Sequence, residues 1–289
     1  MTTSIKELVV ISGKGGTGKT SVAASLAALA ERPVIADCDV DAADLHLVLA
    51  PKVRERRDFY AGREAVIRQA DCTRCGECAR LCRFQAVVRK DGGYLIDPAS
   101  CEGCGVCVRF CPAKAIDFPE RRCGEWMISN TRFGPMVHAR LAAAAENSGK
   151  LVSLVRREAR QIAEQEGRPC VIVDGPPGIG CPVIASLGGA TLVLVVTEPT
   201  VSGEHDLKRV LALARHFGVP AAVCVNKWDI NPAMGEKTEA LALQEGARLA
   251  GRIAYDPFVT RAQLREQTVV ETSAPSAAAF RDLWRDLNS

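Results

Sequence analysis

Apolar positions come in short runs separated by longer amphipathic stretches, and that alternation sets the expected fold. Leu8-Val9-Val10-Ile11 is a compact run ending at a glycine loop, the form of a buried strand. The Ala- and Leu-rich segment from Ser21 to Ala30 follows as a helix. Val34-Ile35-Ala36 predicts a second strand that runs into the acids Asp37, Asp39 and Asp41, ahead of a segment from Ala42 to Leu49. Further strands are expected at Cys170 to Asp174, Leu192 to Val196, Ala221 to Val225 and Leu249 to Ala254. Helices are expected over Met136 to Ala145, Leu151 to Glu166, Gly203 to His216 and around Lys237 to Leu243, with two more closing the chain. Two stretches break the pattern. Pro51 to Ala70 gathers charge at Arg54, Glu55, Arg56, Arg57 and Asp58 and reads as a solvated connector, and Arg121 to Gly134 has no clear period. Repeated β–α alternation predicts a parallel sheet with helices on both faces and ligands at the C-terminal ends of the strands.

Between Asp71 and Phe118 the pattern gives way to cysteines. Cys72, Cys75, Cys78 and Cys82 form one run, and Cys101, Cys104, Cys107 and Cys111 repeat its spacing. Each run has Gly after its second Cys, Arg two before its fourth and Ala four after it, so the segment is an internal repeat. Its x2, x2, x3 spacing is that of two-cluster bacterial ferredoxins, and thiolates are soft ligands suited to iron–sulfur clusters. Zinc is the alternative for paired CxxC motifs. Five cysteines fall outside the repeat: Cys38, Cys170 and Cys224 in apolar strands as small core residues, Cys123, and Cys181 just after the Cys170 strand.

At 289 residues, the chain has room for one large domain and a small one, with ordinary hydrophobic (47%) and charged (25%) contents. A net charge of +3 gives no reason to expect nucleic acid as a partner. The apolar strand leads into a glycine loop by residue 13, so no signal peptide is expected, and no apolar run is long enough to span a bilayer. The thirteen cysteines then fit metal ligation in a reducing cytoplasm better than disulfides.

The glycine loop carries the clearest chemistry. Gly13-Lys14-Gly15-Gly16-Thr17-Gly18-Lys19-Thr20 satisfies G-x-x-x-x-G-K-[ST], with Ser21 opening the helix. Glycines let successive N–H groups converge on phosphate oxygens, and the helix dipole adds to the attraction. Lys19 would sit on the β/γ-phosphates and the Thr20 hydroxyl on Mg²⁺. Lys14 narrows the match: KGGTGKT resembles the deviant Walker A loop of the MinD/ParA ATPases and the nitrogenase iron protein. In that family the lysine reaches across a dimer to the partner's nucleotide. The resemblance implies that Asp39 positions the attacking water, that Asp37 or Asp41 contacts Mg²⁺ or its waters, and that Asp174 holds Mg²⁺ through water. For Asp41, capping of the next helix is an equal alternative. Asn226-Lys227-Trp228-Asp229 can be read as the NKxD motif that grips guanine, whereas the family places Asn here against adenine. Asp256-Pro257 resembles its second adenosine-side segment. Lys14 favours ATP, and Asp229 keeps GTP open.

As a whole the chain resembles MinD superfamily P-loop ATPases with an inserted ferredoxin domain. That implies an α/β parallel-sheet P-loop NTPase of the SIMIBI class, formed by residues 1–65 and 119–289, with an α+β ferredoxin-like insert at 66–118. Carried over from two-cluster ferredoxins, one [4Fe–4S] cluster takes Cys72, Cys75, Cys78 and Cys111, and the other takes Cys101, Cys104, Cys107 and Cys82. Arg83 stands where the first run would have the proline that Pro112 supplies to the second. The resemblance further implies Mg-ATP as cofactor, slow and partner-stimulated hydrolysis, and an ATP-dependent homodimer. Cys181 stands where the nitrogenase iron protein has a cluster ligand, and a helix-start cysteine before Pro182 is its plain alternative. Two functions fit: ATP-gated electron transfer to a redox partner, or a scaffold or carrier delivering iron–sulfur clusters to a client. Carriers of the second kind bridge a cluster through a late CxxC, and this chain has none after Cys111. ParA- or MinD-like positioning on DNA or membrane is a third reading, but the mixed charges of Phe280 to Leu287 are unlike a basic membrane-targeting helix.

Overall fold

The computed structural model describes residues 5–142 and 147–288. In chain order, β1 (Lys6–Ser12), α1 (Lys19–Leu29), β2 (Val34–Asp37), α2 (Leu45–Leu49) and β3 (Lys52–Arg63) come first. Then come the short elements β4 (Val66–Ile67), α3 (Glu77–Leu81), β5 (Val87–Lys90), β6 (Gly93–Ile96), α4 (Val106–Arg109) and β7 (Ile116–Asp117). The chain continues through β8 (Glu120–Asn130), β9 (Pro135–Leu141), α5 (Ser148–Gln165), β10 (Cys170–Pro177), α6 (Cys181–Leu187) and β11 (Leu192–Thr197). It closes with α7 (Val201–His216), β12 (Ala221–Asn226), α8 (Pro232–Gln244), β13 (Arg248–Ile253), α9 (Pro257–Gln263) and α10 (Ala277–Asn288).

Contacts divide the chain into two compact units. The first comprises Met1–Arg57, Trp126–Arg140 and Ser148–Ser289; the second comprises Asp58–Glu125 and Leu141–Asn147. The first is built on a sheet of order β13-β12-β11-β1-β10-β2-β9-β8-β3, in which every pairing from β13 to β9 is parallel. Leu8 and Val10 join α1 (Val22, Leu26) and α10 (Phe280, Leu283) in one core, while Val9 and Ile11 on the opposite face are equally buried. A strand buried on both faces needs helices on both, which is why these runs are continuously apolar. β1 lies between β10 and β11, so its glycine loop opens at the C-terminal ends of the parallel strands, beside the paired Asp37 of β2 and Asp174 of β10.

Three expectations are corrected. Met136 to Ala145 is not a helix: Pro135–Leu141 is β9, paired with β2, and its five consecutive buried residues from Pro135 to Ala139 occupy both faces of a sheet. Ala143 to Ala145 lie outside the described residues. Arg121 to Gly134 is mostly β8, turned into β9 where the Thr131 N–H and hydroxyl donate to the Gly134 carbonyl. Pro51 to Ala70 contains β3, whose charged, mostly exposed residues obscure the strand because it lies at the sheet's edge. Cys38 falls one residue beyond β2, where its N–H donates to the Asp174 carbonyl.

The second unit pairs β4 with β7 and β5 with β6, both antiparallel. Gly76 and Gly105 precede α3 and α4 at φ 79° and 71°, so the sequence repeat is also a structural one. Its apolar cluster of Ala65, Ile67 and Ile116 is small, and five of the repeat's cysteines pack against it. Among the described residues no helix is long and apolar enough to cross a membrane.

Candidate functional site

A cleft of about 380 Å³ in the first unit is lined by Gly15 to Ser21 on one side and by Asn226, Lys227 and Ala254 to Asp256 on another. Gly18 opens α1 at φ 86° with no side chain capping the helix, so the first-turn N–H groups are left for a ligand. A side chain at Gly18 would also meet the Asn226 amide, placed 2.3 Å from its Cβ position. Asn226 Nδ2 donates to the Thr17 carbonyl at 2.7 Å, which ties the end of β12 to the loop.

The charged floor of the cleft is incompletely satisfied. Lys19 donates to Asp174 Oδ1 at 2.7 Å and pairs with Asp39 Oδ2 at 3.3 Å. Burial pulls the Lys19 pKa down, but Asp174 and Asp39 outweigh it and hold the ammonium charged. Asp37 accepts the Asp39 N–H on Oδ1, and burial together with Asp174 pushes its carboxyl well above the usual range. Burial also raises Asp39, against the pull of Lys19. Asp37 Oδ2, Asp174 Oδ2 and Thr17 Oγ1 are buried without a hydrogen-bond partner. Two orphaned carboxylate oxygens on the paired residues Asp37 and Asp174 of adjacent strands would suit a hard divalent cation.

On the opposite side, Asp229 Oδ1 accepts the Tyr255 N–H at 2.6 Å, so the acid of the NKxD-like segment holds the chain turn after β13. Asp256 lines the cleft, but its oxygens accept from the Phe258 N–H and from the Ser276 N–H and hydroxyl, fixing the start of α9. Asp41 is exposed and is not the residue preceding α2, a position held by Asp44. Lys14 donates to Thr200 Oγ1 and Ser202 Oγ at 3.2 and 3.0 Å.

The sequence profile of the CobQ/CobB/MinD/ParA nucleotide-binding domain matches residues 8–269. The chain belongs to that family. It is an ATPase of the MinD/ParA type, with the family's α/β parallel-sheet fold. This ATPase is 34% identical over 230 residues to an uncharacterised protein of Methanocaldococcus jannaschii, across 78% of this chain and 80% of that one. Its fold resembles the cell division ATPase MinD of Pyrococcus furiosus, with a TM-score of 0.59 and 18% identity over 99% of both chains. It also resembles MinD complexed with Mg-ADP from Pyrococcus horikoshii, with a TM-score of 0.59 and 16% identity over 99% of this chain and 97% of that one. At these identities the structural likeness is one of fold.

In the second unit of the MinD/ParA-type chain, the eight repeat cysteines surround two hollows. Cys72, Cys75, Cys78 and Cys111 line one, with Tyr94 packed over Gly76. Cys82, Cys101, Cys104 and Cys107 line another, with Phe118 packed over Gly105. The Arg74 N–H donates to Cys72 Sγ at 3.4 Å, and the Ala115 N–H to Cys111 Sγ at 3.3 Å. Among the described residues no three His, Cys, Asp or Glu side chains converge as a single metal ion requires. The cysteines ring hollows instead. All thirteen cysteines are free thiols; Cys181 is exposed at the first position of α6, and Cys123 is buried with its thiol on the Ala61 carbonyl. Burial pushes the Cys38 thiol well up and the Cys224 thiol to about 12, which leaves both as inert core groups.

Sequence reasoning missed Glu198, Lys227 and Gln263. Gln263 donates to Ser21 Oγ, and Lys227 bridges Glu198 and the Gly16 carbonyl. Lys227 sits inside Asn226-Lys227-Trp228-Asp229, where only Asn226 and Asp229 were given roles, and Glu198 and Gln263 lie in no recognisable motif. A lone acid in Thr197-Glu198-Pro199-Thr200 marks a helix start, and its partners are distant in sequence.

Proposed function

We propose that this ATPase binds Mg-ATP in the first-unit cleft, pairs as a homodimer around it, and couples the nucleotide cycle to electron transfer through two [4Fe–4S] clusters in an insert spanning 66–118. The observation that carries the reading is the division of the eight cysteines between two hollows. Each hollow takes three cysteines from one run and the fourth from the other, the crossed set a two-cluster ferredoxin requires. The donor chemistry fits: four thiolates apiece, N–H groups on sulfur, and a unit whose own apolar cluster is too small to stabilise it unaided. The clusters supply one-electron transfer when bound.

In this reading the chain's own groups divide the nucleotide work. The N–H groups from Gly13 to Thr20 cradle the phosphates, Lys19 neutralises their charge, and Thr20, Asp37 and Asp174 hold Mg²⁺. Asp39, paired with Lys19 in the cleft, orients the attacking water. Asn226 borders the base. Asp256 acts by fixing α9 beside it, since its oxygens are already engaged. ATP is favoured over GTP because Asp229, the acid that would grip guanine, does not line the cleft and instead holds the Tyr255 N–H.

One experiment tests the reading. Anaerobically purified protein is reduced, given Mg-ATP, and presented with an oxidised redox dye in one arm and an apo-ferredoxin in the other. Electron transfer with iron retained is expected. Iron passing to the apo-protein would replace the reading by cluster delivery. A second reading, positioning of a cargo in the manner the MinD relatives' names suggest, is favoured by the structural matches. It predicts nucleotide-dependent binding to vesicles or DNA by protein that carries no iron.

A further inference from the structure

The segment joining β11 to α7 is built tightly against the phosphate loop. A methyl at Gly13 would lie 2.3 Å from Asp206 Cβ, and one at Gly203 would lie 2.4 Å from the Glu198 carbonyl oxygen. Thr200 caps α7 by accepting the Gly203 N–H at 3.0 Å. Glu198, with its side chain only 15% exposed, faces two lysines: Lys227 Nζ at 2.5 Å and Lys14 Nζ at 3.4 Å. Lys14 completes its coordination on Thr200 and Ser202, while Lys227 also donates to the Gly16 carbonyl. One carboxylate therefore pins both ends of the glycine-rich stretch, Lys14 directly and Gly16 through Lys227.

We infer that Glu198 is a positioning residue that stows Lys14 on its own chain and so sets how readily two nucleotide-loaded chains pair. Two ammonium groups share one carboxylate, so the cradle carries net positive charge, and a polyphosphate arriving at the adjacent loop competes with Glu198 for both. Lys14 cannot occupy this cradle and reach another molecule at once. The cradle's hold is a free-energy cost set against pairing, and removing its charge lowers that cost. The pairing half of this inference rests on the homodimer reading above; the stowing of Lys14 does not.

The test uses the full chain with Glu198→Gln and Glu198→Asp. In nucleotide-free protein, acylation of Lys14 by an amine-reactive ester, followed at the peptide level by mass spectrometry, is expected to be about threefold to tenfold faster in E198Q, with E198D restoring protection. An unchanged Lys14 rate in E198Q overturns the latch, whatever the oligomeric behaviour. Sedimentation with Mg-ATP analogue is expected to give a several-fold tighter dimer for E198Q than for the wild type. A weaker or equal E198Q dimer, with the wild type dimerising, overturns the regulatory role. A wild type that binds the analogue but stays monomeric overturns the homodimer reading and, with it, the pairing half of this inference, while the acylation result still judges the stowing.

Discussion

At the scale of single residues, the cleft separates groups that meet the ligand from groups that hold the cleft in shape. Asp229 belongs to the second kind through its bond to the Tyr255 N–H. Asp229→Ala is therefore expected to shift the ratio of ATP to GTP binding by less than about tenfold, in a competition assay where loss of a genuine base contact would cost far more. Asp256 offers a pH signature. Burial raises its pKa, but hydrogen bonds from Ser276 and the Phe258 N–H prevail and hold the carboxyl below the usual range. Because the folded value lies below the unfolded one, its contribution is complete above about pH 4 and is lost as pH falls through the folded value. Thermal unfolding between about pH 5 and 2 should show a flatter acid limb in Asp256→Asn than in the wild type. Local spacing singled out the loop from Gly13 to Thr20, most of which lines the cleft, and the two cysteine runs, which line two hollows. The roles of Asp229 and Asp256 were not legible in this way, because which atom a carboxylate faces depends on turns that only the fold brings together.

At the scale of elements, periodicity succeeded where both faces of a strand are covered and failed where one edge is open. The β1, β10 and β11 runs are continuously apolar and were readable. β3 carries charge on an edge, and β9 runs into an alanine-rich tail that mimics helix composition, so propensity outweighed a placement that pairing with β2 and β8 enforces. The start of α7 supplies a prediction at this scale. Alanine in place of Gly203 would gain up to about 1 kcal/mol of helix propensity. Its methyl would also meet the Glu198 carbonyl oxygen at 2.4 Å, backbone that cannot move without disturbing the Thr200 cap. Overpacking of this kind costs about 1–3 kcal/mol, so Gly203→Ala should lower the unfolding midpoint in a denaturant titration.

At the scale of the whole molecule, a MinD/ParA-type ATPase chain contains a second compact unit that departs from the alternation around it. Its elements are two to five residues long between β3 and β8, shorter than the usual reach of a self-sufficient core, and its repeat places cysteines where larger apolar residues would otherwise pack. The proposed clusters are thus also the unit's staples, which links loading to folding in this part of the chain. The most direct measurement is iron and acid-labile sulfide per chain in folded, anaerobically purified or reconstituted protein, alongside C75S/C78S and C104S/C107S variants. Two clusters predict about eight irons and eight sulfides in the wild type and about four of each in either variant. Folded wild-type protein with fewer than about one iron per chain after reconstitution would contradict the account.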